Sequence, residues 1–233
     1  MIKKQHKMTQ RLIFLSIFFI WSSLLVGSTI SNNHLLNPSD TLTVIKPDNH
    51  YQIENQLITS ILTRYHYKEF DINDSLSIII FDRYLDALDN GKNYFILYDI
   101  EEFNTQKLLL DDKLFKGDIQ FYYDVFNVYL KRLNERMTYV DELLNSEFDY
   151  SINENYEYDR DKSDWAKDQS ELNELWRKRL KNDALTYKLN GKDWEFIQKT
   201  LKKRYKNFSQ FLNQSNSEDV FQIAMNSFTQ AID

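Results

Sequence analysis

The chain contains no cysteine, and that absence removes several possibilities at once. It can have no disulfide framework, no lipidated cysteine of the lipoprotein type and no thiol nucleophile. Proline is nearly as scarce: Pro38 and Pro47 are the only two in 233 residues. Of the four glycines, only Gly91, Gly117 and Gly191 lie beyond residue 27. A chain with so few breakers favours long helices joined by short turns, although 15 Tyr and 16 Phe also suit strands. Histidine is sparse too, with His34, His50 and His66 the only ones after His6. No H-E-x-x-H, no G-x-S-x-G turn, no S-x-x-K and no glycine-rich loop is present. The sequence therefore offers no catalytic residue, no metal ligand set and no cofactor motif, and none is expected.

The N-terminus has the pattern of an export signal over residues 1–28. Lys3, Lys4, Lys7 and Arg11 precede the apolar run "LIFLSIFFIWSSLLVG", and small residues at 26–28 offer a cleavage site. The expected destination is the bacterial periplasm or cell envelope, with the signal cleaved or, alternatively, retained as an anchor. Loss of residues 1–28 leaves 25 basic against 35 acidic side chains, so the net charge moves from −6 to −10. Such an acidic surface is a poor match for phosphate backbones, and nucleic acid is not an expected partner.

Residues 29–46 are polar and aperiodic and read as a linker; residues 47–233 read as a helical domain. A first helix follows Pro47, with Ile53, Leu57, Ile61 and Tyr65 at four-residue steps and Ile58 and Leu62 widening the stripe. A second is capped by Asn73 or Asp74, packs Leu76, Ile80, Tyr84 and Leu88, and has Gly91 to end it in a left-handed turn. A third begins near Asp99, places Phe103 and Leu110 inward and closes at Gly117. The longest runs from Asp118 through Ile119, Tyr122, Phe126, Tyr129, Leu133, Met137, Val140 and Leu144, a seam that calls for bundle partners. Three more helices follow, capped at Asp168, Asp193 and Asn216 or Ser217. The fold class is all-α, an irregular bundle of about six to seven helices.

Between them, "FDYSINENYEYDRDKSDWAK" (148–167) breaks the period. Long irregular connections are uncommon in compact domains and often bear interfaces, so Tyr156, Tyr158 and Trp165 are the candidate interdomain or partner contacts. The carboxylates Glu154, Glu157, Asp159, Asp161 and Asp164 lack the spacing and glycine of a calcium loop and read as solvated. The basic run "KTLKKRYKNF" (199–208) reads as a solvated face or one side of an acidic–basic contact.

Several of these stretches, in this order, resemble one family. "NSEDVFQIAMNSFTQAID" (216–233) is similar to the end of the N-terminal helical domain of tail-specific, or C-terminal processing, proteases. "RYHYKEFDINDSLSIIIFDRYLDALDNGKNYFI" (64–96), "FYYDVFNVYLKRLNERMTYV", "YEYDRDKSDW", "ELNELWRKRLKNDALTYKLNGK" and "LKKRYKNF" follow the family's order over residues 50 to 233. The resemblance implies envelope endopeptidases that bind apolar C-termini through a PDZ domain and cleave with a Ser nucleophile and a Lys base. In the family, the segment after the final "ID" leads into those domains, so no catalytic or PDZ position carries over to this sequence. The implied function is a non-catalytic wall around PDZ and protease domains missing here, with an envelope adaptor and the parent enzyme's protein substrates as partners. A stand-alone envelope helical binding or scaffold protein without protease activity is the alternative.

Overall fold

The computed structural model describes residues 44–233. The export signal expected over 1–28 and most of the linker expected over 29–46 lie outside the described residues. Eight helices occur among the described residues: α1 (Asn49–Tyr65), α2 (Asp74–Asp89), α3 (Leu97–Asn104), α4 (Leu110–Lys116), α5 (Gln120–Leu143), α6 (Gln169–Leu189), α7 (Trp194–Leu212) and α8 (Ser217–Ile232). No strand is assigned among the described residues, and none of their helices is long and apolar enough to cross a membrane. The expected third helix is two short ones, because residues 105–109 form a turn stitched to α2. The Ser77 hydroxyl donates to the Lys107 carbonyl at 2.7 Å and accepts from the Leu110 amide at 2.8 Å.

The capping chemistry follows the sequence closely. Asn73 accepts from the amides of Ser75 and Leu76, Asp193 from that of Phe196, and Asn216 from those of Glu218 and Asp219. Asp168 accepts from the Glu171 amide, while Glu171 reaches back one residue further than a capping box requires, to the Lys167 amide. Each cap satisfies amides that the first turn of a helix leaves unpaired.

α5 is the axis of the bundle, packing against α6, α7 and α8, while α2 lies along α8. Its expected face is buried: Ile119, Tyr122, Phe126, Tyr129, Leu133, Val140 and Leu144 all lie in the core, with Met137 half-buried against it. Rings meet edge to face where helices cross, as with Tyr84 and Tyr122 at 4.9 Å, and the Tyr84 hydroxyl donates to the Tyr122 carbonyl at 2.7 Å. Asp99 clips α3 to α5, accepting from Arg132 Nε at 2.9 Å and Nη2 at 2.8 Å. The last linker residues are held as well: Asn127 exchanges hydrogen bonds with the backbone of Ile45, and Ser217 donates to the Lys46 carbonyl.

α1 is turned about its axis from the expected orientation: Ile58 and Leu62 pack half-buried against the core, but the four-residue stripe beside them does not. Ile53, Leu57, Ile61 and Tyr65 are 68%, 57%, 47% and 78% exposed, whereas Tyr51, Asn55 and Thr59 are buried. The cause is polar. The C-terminus of α4 leaves carbonyls without helical partners, and α1 supplies amide donors to them. Asn55 Nδ2 donates to the Leu114 carbonyl at 2.9 Å and Gln56 Nε2 to the Lys116 carbonyl at 3.1 Å. Gly117 then turns the chain at φ 74°, with the Gln52 carbonyl 2.6 Å from where a Cβ would stand. Tyr51, stacked on Phe221 of α8 at 4.4 Å, gives α1 a separate apolar anchor.

This orientation of α1 has a direct test in denaturant unfolding. Leu57→Gln is expected to change stability by no more than about 0.5 kcal/mol, as for surface positions, whereas Asn55→Ala is expected to cost about 1–2 kcal/mol by removing a buried hydrogen bond and leaving the Leu114 carbonyl only the 3.3 Å contact from the Gly117 amide. The opposite ranking would put the apolar stripe back in the core.

Candidate functional site

The turn between α2 and α3 is built around one buried carboxylate. Asp89, at the end of α2, accepts from the backbone amides of Asn93 (2.7 Å), Tyr94 (2.8 Å) and Phe95 (3.0 Å). The left-handed residue that closes this helix is Lys92, at φ 50°, and not Gly91 as the sequence suggests. Aiming three amides inward at Asp89 offsets the strain of a side chain at positive φ. Burial pushes the Asp89 carboxyl up to about 7, against the three amides that favour its ionised form.

The same turn receives two partners from far along the chain. Trp176 of α6, fully buried, donates its indole N–H to the Asn93 carbonyl at 2.6 Å and packs on Tyr94 and Tyr205. The 148–167 connection closes over it from outside. Arg160 Nε donates to the Gly91 carbonyl at 3.2 Å, Lys92 Nζ donates to the Asp161 and Ser163 carbonyls, and the Leu97 amide donates to the Ala166 carbonyl at 2.8 Å. At its near end the connection is tied to α6 through Glu154, which binds Arg177 and, at 2.5 Å, Lys181. Those two cations hold the Glu154 carboxyl down to about 2.

The connection thus forms one wall of a cleft of about 650 Å³, with the α2–α3 turn, α6 and α7 as the others. Tyr156 and Tyr158 both line it, and Tyr158 is 86% exposed. Trp165 is not brought to the cleft: half-buried, it packs edge-on to Phe95 at 6.1 Å beneath the Lys92 ammonium. The acidic residues of the connection do not converge, since Glu154 turns to α6 and Glu157 accepts from Ser163; no metal-ligand cluster occurs among the described residues. Within the basic run of α7, Lys202 pairs with Asp141 at 2.8 Å and Arg204 with Asp183, while Lys199, Lys203 and Lys206 make no ion pair among the described residues.

One residue of the cleft escaped the sequence reading. Arg179 lies three positions after Trp176, its guanidinium over the indole face at 4.8 Å. The W-x-x-R spacing, which stacks the two on one helix face, was the available signal, but "WRKRLK" reads as a plain basic surface.

The Asp89 node makes stability fall with pH. Its folded-state pKa is raised, so between about 4 and 7 the folded chain holds a proton that the unfolded chain has lost, a slope of at most about 1.4 kcal/mol per pH unit. Urea unfolding at pH 5 and pH 8 is expected to show this loss in the wild type, and Asp89→Asn is expected to remove that component. The variant is expected to start about 1–3 kcal/mol lower at pH 5, because an amide nitrogen meets backbone donors there.

The domain's architecture can be set beside known proteins. A family model described as the tail-specific protease N-terminal domain matches residues 58–233. The chain is similar to the tail-specific protease of Haemophilus influenzae, 34% identical over 221 residues, which cover 93% of this chain and 32% of that protein. The chain thus spans about a third of the length of this curated relative. The match takes in α2 to α8, the 148–167 connection and the cleft between them, so this chain belongs to the tail-specific protease N-terminal domain family.

Proposed function

We propose that this chain is a non-catalytic helical wall of an exported, periplasmic tail-specific serine protease, and that its role is to flank the PDZ and protease domains and limit what reaches them. The observation that carries this reading is the coverage: nearly all of this chain aligns with only a third of the protease. The peptidase chemistry is assigned to the other two thirds, and the groups found here suit packing and contact. The export-signal pattern of residues 1–28 supports an envelope location.

The contact surface proposed is the rim of the connection where it borders the cleft. Tyr156 and Tyr158 offer aromatic area on a backbone already fixed at both ends, so docking costs little ordering entropy. Trp165 serves this surface from beneath, by fixing the connection to Phe95 and Lys92. Protein substrates, and an envelope adaptor if one is recruited, are proposed to meet the assembled enzyme rather than this wall alone.

Binding of the purified chain to the remaining domains of a family-length protease, supplied in trans, tests the reading. The double variant Tyr156→Ala/Tyr158→Ala is expected to weaken assembly by about tenfold or more, the loss of roughly 1.4 kcal/mol of contact, with its melting temperature unchanged. Assembly at wild-type strength would remove the connection from the interface. Absence of any assembly by the wild type would remove the wall reading itself.

A further inference from the structure

The cleft beneath the connection contains a guanidinium for which the fold provides no acceptor. Three arginines line it, and two are committed. Arg160 donates to the Gly91 carbonyl and lies 3.8 Å from Glu157; Arg204 binds Asp183 and the Tyr205 hydroxyl. Arg179 has no hydrogen-bond or ion-pair partner among the described residues, although it is half-buried. Its nearest carboxylate along the helix, Asp183 one turn on, instead accepts from Arg204 and from the Tyr205 hydroxyl at 2.8 Å, both on Oδ2. Asp89, which also interacts electrostatically with Arg179, already accepts from three backbone amides.

An arginine presents its donors as a rigid planar fork suited to bidentate pairing with a carboxylate. Stacking on Trp176 orients this fork before any ligand arrives, which lowers the entropy cost of using it. The hydroxyls of Tyr94 and Tyr156 also lack partners among the described residues, and both line the cleft. We propose that this cleft is a carboxylate-binding site, in which Arg179 holds the carboxylate and the Tyr94 and Tyr156 rings hold an apolar or aromatic group beside it.

Charge selects the ligand class. Arg160, Arg179 and Arg204 are matched by Asp159, Asp161 and Asp183, so the cleft has no net positive field for a phosphate dianion or a polyanion. One free guanidinium suits one monoanion. The volume of about 650 Å³ falls in the range that accommodates small ligands, enough for one or two amino-acid residues. The carboxylate can be a chain terminus or an Asp or Glu side chain; the chemistry at Arg179 is the same. This inference does not rest on the wall reading.

The test is calorimetric titration of the full chain with matched probes. N-acetyl-phenylalanine carries a terminal carboxylate, N-acetyl-aspartyl-phenylalanine amide a side-chain one, and N-acetyl-phenylalanine amide none. At least one carboxylate is expected to bind at up to about 10 mM, with the uncharged amide at least about tenfold weaker and inorganic phosphate not competing. Whichever carboxylate binds tighter identifies the source. Arg179→Lys, which keeps the charge and loses the fork, is expected to weaken binding about tenfold, and Arg179→Met to abolish it, while Lys203→Met outside the cleft leaves it unchanged. Failure of both carboxylates to bind, equal binding of acid and amide, effective competition by phosphate, or unchanged affinity in Arg179→Lys would each overturn the proposal. If Arg179→Met does not fold, the acid–amide comparison and the lysine variant still decide.

Discussion

A buried carboxylate with three backbone amides aimed at it is the point on which the rest of this domain turns. Asp89 ends one helix and organises the turn to the next, and in doing so it fixes the carbonyl of Asn93 where Trp176 can donate to it. Without that turn, the largest buried side chain of α6 would lack its polar partner, and the connection would lose the carbonyl of Gly91 and the cation of Lys92 as anchor points. Elements nearly ninety residues apart in sequence meet here. A group that is costly to bury is tolerated because three backbone amides donate to it.

The rest of the bundle is less demanding and more readily foreseen. Along α5 the sequence repeats apolar residues at three- and four-residue steps, and because the helix is flanked on several sides, that stripe can only face inward. Asn73, Asp168, Asp193 and Asn216 mark helix starts that the structure uses, since capping is local chemistry between a side chain and amides two or three residues away. What periodicity does not contain is the identity of the neighbour. On α1 the apolar stripe is genuine, yet Asn55 and Gln56 face the protein because the end of α4 needs donors, a requirement set by residues about sixty positions away. The left-handed position at Lys92 is equally invisible in the sequence, since Gly91 stands next to it and the convergence of amides on Asp89 exists only in the folded turn.

The cleft shows the same division. Tyr156 and Tyr158 stood out because they interrupt a helical pattern, and they do line a cavity. Trp165 stood out for the same reason and is directed to Phe95 instead. Arg179 is hidden in a row of cations, and its distinction is relational: Arg204, on another helix, pairs with Asp183, while Arg179 has no ion-pair partner among the described residues. A module with such a connection, pinned by Glu154 at one end and by the Ala166 carbonyl at the other, presents a stiff surface to whatever it meets. Stiffness of that kind suits the wall role proposed for it, in which shape must persist.

Native-state hydrogen exchange of the backbone amides tests the central role of the Asp89 turn most directly. If the turn organises the domain, the amides of Asn93, Tyr94 and Phe95 exchange only with global unfolding, at the same free energy as the buried amides of α5 and the Trp176 indole N–H. Exchange of those three amides at a markedly lower free energy, with the Trp176 indole still fully protected, would show that the bundle stands without the turn and would contradict the account.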